Sequence, residues 1–89
     1  MGTSNERELI AREAFEEVMD GHWDDFVRWM ARSGKNGARN ANVVKMIFTT
    51  PLTHYQIANV YELTESRIGG IKRSVLRKAI NYLQTRGLK

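Results

Sequence analysis

The amino-acid sequence predicts an all-α fold of about five helices, and three observations support this class. Apolar residues recur at three- and four-residue spacing along most of the chain. No segment alternates Val, Ile or Thr over a length that would indicate a β-strand. Polar or glycine-rich breaks separate the periodic segments. Because 89 residues suffice for one modest core, we expect a single helical domain over residues 1–89.

The N-terminal half contains three expected helices. The first begins near Thr3, which forms a capping-box pattern with Glu6, and ends before Gly21. A second helix is expected over 23–32 and a third over 39–49, separated by the polar connector 33–37. The apolar residues at helical spacing are Leu9, Ile10, Ala14, Phe15, Val18 and Met19 in the first helix, Trp23, Phe26, Trp29 and Met30 in the second, and Val43, Val44, Ile47 and Phe48 in the third. The aromatic set of the second helix is typical of a core or a dimer interface, with a ligand pocket as the alternative.

The C-terminal half predicts a helix-turn-helix, with helices near 53–61 and 64–85. Thr53 and Gln56 form a capping-box pattern, and Thr64 is a suitable N-cap for the second helix. A small residue, Ala58, stands where the two helices would cross. The second helix carries an inward stripe of Ile68, Ile71, Val75, Leu76, Ala79 and Leu83. Ser66, Gly70, Arg73 and Arg77 fall on the opposite face, with Gly69 at its edge.

Charge divides the chain into two parts. Residues 1–33, an acidic pair of helices, hold four arginines against eight acidic residues, a net charge of −4. Residues 34–89, which include the basic helix-turn-helix part over 39–89, hold ten Lys or Arg against Glu62 and Glu65, a net charge of +8. An excess of positive charge that is scattered over a protein is usually an ordinary solvated surface. Here the excess is clustered on the predicted motif, which favours a polyanionic partner and therefore nucleic acid.

The segment from Leu52 to Ala79 resembles the helix-turn-helix of sigma-70 region 4, which reads the promoter −35 element in bacterial RNA polymerase. The residues that carry the resemblance are Leu52-Thr53, Ile57-Ala58, Tyr61-Glu62-Leu63-Thr64, Arg67-Ile68, Ile71 and Leu76-Arg77-Lys78-Ala79. The segment is also similar to small plasmid and fimbrial-operon repressors of the KorA/TrfB and PapB type. The resemblance covers about a third of the chain, and no single residue identifies the family by itself.

The resemblance and the side-chain chemistry together predict a DNA-binding surface. Its expected residues are Thr53, His54, Tyr55, Gln56, Thr64, Glu65, Ser66, Arg67, Gly69, Gly70, Arg73 and Arg77. Arg67 and Arg73 are the candidates for base contacts, since an arginine fork matches the guanine edge. The first motif helix crosses the DNA backbone in this architecture, so residues 53–56 are expected at phosphates. Arg39, Lys45, Arg77 and Lys78 are expected to position the protein on the backbone.

Two glycines depart from the family pattern. In region 4, the positions matching Glu65, Ser66, Gly69 and Gly70 contact bases, and glycine offers no side chain for this purpose. Recognition of the −35 element is therefore not expected of this chain. Glycine within a helix costs about 1 kcal/mol relative to alanine. The pair is either a tolerated surface irregularity or a place where bare backbone lets the helix lie close to DNA.

The sequence thus predicts a transcriptional regulator, a repressor that binds an inverted-repeat operator as a homodimer, from a bacterial plasmid, phage or compact operon. The long last helix and the N-terminal helices are both candidate dimer interfaces. The alternative is a region 4-like protein that binds RNA polymerase and modifies transcription without reading DNA. No enzymatic activity, cofactor or metal is expected: Asp20, His22, Asp24 and Asp25 are explained as helix-cap residues. A chain with no cysteine and no signal-peptide or membrane-spanning pattern is expected in the cytoplasm.

Overall fold

Five α-helices make up the part of the chain that the structure describes. The computed structural model describes residues 2–87, with side-chain surroundings from Glu6 onward. The helices are α1 (Gly2–Met19), α2 (Trp23–Ser33), α3 (Gly37–Thr49), α4 (His54–Tyr61) and α5 (Glu65–Thr85). No strand occurs within residues 2–87. The predicted all-α class is confirmed, including the two helices of the C-terminal motif. The predicted capping box at Thr3 lies outside the described side chains.

The last helix, α5, is the centre of the fold and packs against all four other helices, most extensively against α1 and α3. Its inward stripe is as predicted: Ile68, Ile71, Val75, Leu76, Ala79 and Leu83 are all buried. Burial of such a stripe is the main stabilising contribution to a helix of this kind. Tyr82 is also buried, although the sequence pattern did not assign it to the core.

A cluster of aromatic rings joins α1, α2, α3 and the C-terminal half of α5. The Phe15 ring makes edge contacts with Trp23 and Phe48, at centroid distances of 5.8 and 5.2 Å. Phe26 contacts Tyr82 in the same manner, at 5.2 Å. Such edge-to-face pairs add to the stabilisation that burial alone provides. The aromatic residues of α2 therefore belong to the core, which was one of the interpretations that their spacing allowed.

The junction between α2 and α3 differs from the prediction. We expected α3 to begin at Arg39, but it begins at Gly37, which is buried. A Cβ atom on Gly37 would overlap the backbone carbonyl group of Met30 in α2. Gly37 is therefore the contact that allows α2 and α3 to pack closely, and the surrounding polar residues form only the turn.

The first described turns of α1, over residues 6–10, lie outside the core, although their apolar residues follow the helical spacing. Leu9 and Ile10 continue the apolar spacing of α1, yet they are 60% and 56% exposed. Burial along α1 starts only at Ala11 and continues through Ala14, Phe15 and Val18. The described residues that precede Ala11 are all exposed from Glu6 onward. The N-terminal part of α1 therefore extends beyond the core and carries two exposed apolar side chains among glutamates.

Candidate nucleic-acid interface

The first helix of the motif, α4, begins with a complete capping box. The Thr53 hydroxyl accepts a hydrogen bond from the Gln56 backbone N–H at 3.2 Å, and the Thr53 N–H donates to Gln56 Oε1 at 2.8 Å. These two reciprocal bonds satisfy backbone donors that no helical carbonyl reaches. Ile57 and Ala58 are buried against the rest of the domain. A cap outside and two buried residues inside fix both the start and the orientation of an eight-residue helix.

The turn between α4 and α5 consists of Glu62, Leu63 and Thr64. Glu62 has φ 57° and ψ 44°, the left-handed conformation that usually requires glycine. Its N–H donates to the Asn59 carbonyl at 3.3 Å, and the Leu63 N–H donates to the Ala58 carbonyl at 2.8 Å. These two bonds form a Schellman motif, which ends a helix and reverses the chain within a few residues. The turn therefore has the geometry of a helix-turn-helix, with glutamate in the glycine position.

The second helix, α5, starts at the residue that the sequence predicted. The Thr64 hydroxyl accepts a hydrogen bond from the Arg67 N–H at 3.2 Å, and Glu65 adds a negative charge to the first turn. Both features stabilise a helix N-terminus. Because Ile68 and Ile71 are buried, the opposite side of α5 faces solvent.

The outward face of α5, defined here as Ser66, Gly70, Arg73 and Arg77, is exposed at its three side chains. At 1.5 Å per residue it extends about 16 Å along the helix axis. Arg67, Arg73 and Arg77 form no salt bridge with any described residue. Their guanidinium groups are therefore free to bind an external anion or a base edge.

Residues 53–56 occupy the start of α4, which packs against α5. Tyr55 is 62% exposed, whereas His54 is half-buried. The side chains of Thr53 and Gln56 are exposed but serve the capping box first. Two residues that the sequence prediction omitted, Asn59 and Val60, are exposed one turn after Tyr55 and Gln56. Asn59 and Val60 lie four positions after Tyr55 and Gln56, and this helical spacing could have added them to the predicted surface.

The two glycines of α5 lie at the edge and centre of its solvent side. Both are half-buried, and neither has a positive φ. A Cβ on Gly69 would lie 3.9 Å from the Arg73 guanidinium nitrogen Nη1, so this arginine extends back beside Gly69. A Cβ on Gly70 would have no atom within 4 Å. Neither backbone conformation nor packing within the chain therefore explains why Gly70 is a glycine.

Two of the predicted positioning charges have partners within the protein. The Lys45 ammonium group lies 4.7 Å from the centroid of the Trp23 ring, which places it against α2. The Arg39 guanidinium donates to Asn40 Oδ1 from both Nε and Nη2, at 3.2 and 3.0 Å. The unpaired basic side chains of the described structure thus concentrate on α5, which carries Lys72, Arg77 and Lys78 in addition to Arg67 and Arg73.

The far end of α5 is anchored by a polar contact. The buried Tyr82 donates its hydroxyl hydrogen to Asp25 Oδ2 at 2.6 Å, and Arg86 Nη2 lies 3.2 Å from the same oxygen. This hydrogen bond holds the pKa of the Asp25 carboxyl below its ordinary value, and Arg86 lowers it further. Burial raises the pKa of the Tyr82 hydroxyl, and the bond to Asp25 adds to that increase. The contact fixes α5 to α2.

An open groove of about 450 Å³ adjoins this contact and includes His22, Asp24 and Asp25 in its lining. Among the residues that the structure describes, no three His, Cys, Asp or Glu side chains are grouped as metal ligands. Within the same residues, no helix has the length and apolar character needed to cross a membrane.

Taken together, the structure defines an all-α domain in which α1 and α3 brace the helix-turn-helix formed by α4 and α5. Comparison of the chain with protein-family models, with curated proteins and with solved structures finds no match. The functional argument therefore depends on the site itself.

Proposed function

We propose that this protein is a sequence-specific DNA-binding transcriptional regulator, a repressor that binds an inverted-repeat operator as a homodimer. The observation that carries the proposal is the outward face of α5. Its arginines are exposed and form no ion pair with any residue that the structure describes, on a helix held by the core behind it. A braced helix of this kind fits the major groove, which admits one α-helix and presents hydrogen-bonding base edges. The similarity of Leu52–Ala79 to sigma region 4 supports the same interpretation.

The separation of charge supports the orientation of the complex. The basic residues on α5 attract the phosphate backbone, whereas the glutamates of α1 are repelled by it. A single recognition helix buries little surface, so strong discrimination requires two copies on a two-fold symmetric site. We therefore propose a dimer with one α5 in each half-site.

The test is a selection of random duplexes by the purified protein, followed by fluorescence anisotropy on the enriched sequence at several salt concentrations. The expected result is an inverted repeat bound about a thousandfold more tightly than random DNA. Weak binding without enrichment, which simply disappears as salt rises, would overturn the proposal.

A matched pair of variants separates base reading from general charge. Arg73→Ala is expected to weaken operator binding about tenfold or more, because a bidentate arginine contact is lost. Arg32→Ala removes another exposed arginine, from α2, and is expected to change affinity less than about twofold. Equal losses from both variants would show that net charge, and not the outward face of α5, determines binding.

A second candidate function is favoured by the exposed Leu9 and Ile10 on α1. Apolar side chains at an exposed helix end, surrounded by Glu6, Glu8 and Glu13, are typical of a protein-binding surface. On this proposal the chain binds RNA polymerase and modifies transcription without reading DNA. Replacing Leu9 and Ile10 together by serine would then abolish polymerase binding, and Arg73→Ala would leave it intact.

A further inference from the structure

Gly70 stands at the centre of the solvent side of α5, and the fold gives no reason for a glycine there. The residue is helical, and a Cβ would meet no atom within 4 Å. Glycine weakens a helix interior relative to alanine. By contrast, Gly37 has a reason in the fold, because a Cβ there would overlap the Met30 carbonyl. Gly70 therefore differs from Gly37 in having open space beside it, and it differs from the other glycines with open space, Gly21, Gly34 and Gly87, in lying within a helix.

The space beside Gly70 has a defined lining. It is an open depression of about 310 Å³ bounded by Thr64, Ser66, Arg67, Gly70 and Ile71. The Cα atom of Gly70 and the slightly exposed edge of Ile71, 5% of its surface, supply the apolar part. Two hydroxyl groups and the unpaired Arg67 guanidinium supply the polar part. The depression suits a small apolar group that projects from a polar, anionic surface.

The major groove of DNA presents one such group. Among the four bases, only thymine carries a methyl group into the groove, next to hydrogen-bonding edges and phosphates. We propose that the 5-methyl group of a thymine occupies the depression against Gly70 and Ile71, with Arg67 at the adjacent guanine edge or phosphate. Gly70 then determines specificity, because the space left by its missing side chain accepts the methyl group of thymine. This inference rests on the proposed DNA-binding function.

The test uses the operator obtained by selection and replaces each thymine of one half-site, in turn, by deoxyuridine. This change removes only the methyl group and keeps every hydrogen-bonding atom. At one position, deoxyuridine is expected to weaken binding about fourfold, the factor that corresponds to one buried methyl group. Gly70→Ala places its own methyl group in the depression. It should weaken binding to the thymine operator about tenfold, because two methyl groups would compete for one space, and remove the deoxyuridine effect at that position.

The matched control is Asn81→Ala, which also raises the helix propensity of α5 but lies three turns from the depression. It is expected to keep both the affinity and the fourfold deoxyuridine effect. A higher melting temperature of Gly70→Ala would show that its weaker binding does not come from misfolding. An enriched operator with no sensitive thymine, or a deoxyuridine effect that persists in Gly70→Ala, would overturn this inference and leave the proposed function standing. A selection without any enriched sequence overturns both.

Discussion

The left-handed backbone of Glu62 makes the turn of the motif a position where glycine is expected to stabilise the protein. At φ 57° and ψ 44°, an L-residue brings its Cβ too close to the following carbonyl oxygen. This crowding costs about 1–2 kcal/mol. Glycine removes it but adds conformational entropy to the unfolded chain, which takes back about 0.4–1 kcal/mol. The net expectation for Glu62→Gly is a gain of about 0.5–1 kcal/mol in the free energy of unfolding.

For a domain of 89 residues, this gain corresponds to a rise of about 4 °C in Tm. The assay is thermal unfolding followed by circular dichroism, with urea unfolding as an independent measure of the free energy. Glu62→Gln is the matched control, because it removes the charge and keeps the Cβ, so its Tm should equal that of the parent. If Glu62→Gln gained as much as Glu62→Gly, charge and not backbone strain would be the cause. A Glu62→Gly protein no more stable than the parent would refute the reasoning outright.

Three further substitutions test other contacts. Gly37→Ala should lower the free energy of unfolding by about 2 kcal/mol, because its Cβ would push α3 away from the Met30 carbonyl. Gly34→Ala, which has open space around it, should change this free energy little. Urea unfolding measures both. Thr64→Ala removes the cap of α5 and should cost about 1 kcal/mol in the same assay, whereas Thr64→Ser keeps the hydroxyl group and should retain most of that stability. Tyr82→Phe removes the hydrogen bond to Asp25 and should lower Tm by about 4 °C near pH 7. Because folding lowers the pKa of Asp25 and raises that of Tyr82, the Tm difference should begin to shrink as the pH falls below about 4 or rises above about 10, and should be lost only beyond the shifted pKa values. A Tm difference that stays constant with pH would contradict the assigned contact.

The helices of the motif were predictable because their end signals are local in sequence. Thr53 with Gln56, and Thr64 before Arg67, specify helix starts through bonds between residues three apart, and the structure contains these bonds. The inward stripe of α5 was predictable for a similar reason, since one helical period places its residues on a single face. The predicted DNA-binding role of the opposite face stays a prediction.

The errors concern features that depend on a distant partner. The need for Gly37 arises from a carbonyl group on another helix, which no local pattern contains. Leu9 and Ile10 fit the periodicity of α1, but periodicity does not report where the neighbouring helices end. Tyr82 was absent from the predicted inward stripe of α5, which contained only aliphatic residues. Its burial depends on Asp25, 57 residues away, which lies within hydrogen-bond distance of the Tyr82 hydroxyl group.

The local irregularities of the chain are concentrated where the proposed function needs them. Glu62 holds a strained backbone in the turn, and Gly69 and Gly70 weaken the helix that follows, all within nine consecutive residues. The C-terminal half of α5 shows the opposite character, with Tyr82 and Leu83 buried and Arg86 fixed to Asp25. A helix anchored so firmly at one end tolerates a less stable segment at the other, because tertiary packing and not intrinsic propensity determines whether it forms. Departures from local preference that persist without a structural reason are characteristic of functional sites. On this argument the segment from Glu62 to Gly70 supports, together with the exposed arginines of α5, the proposal that α4 and α5 form the functional surface of the protein.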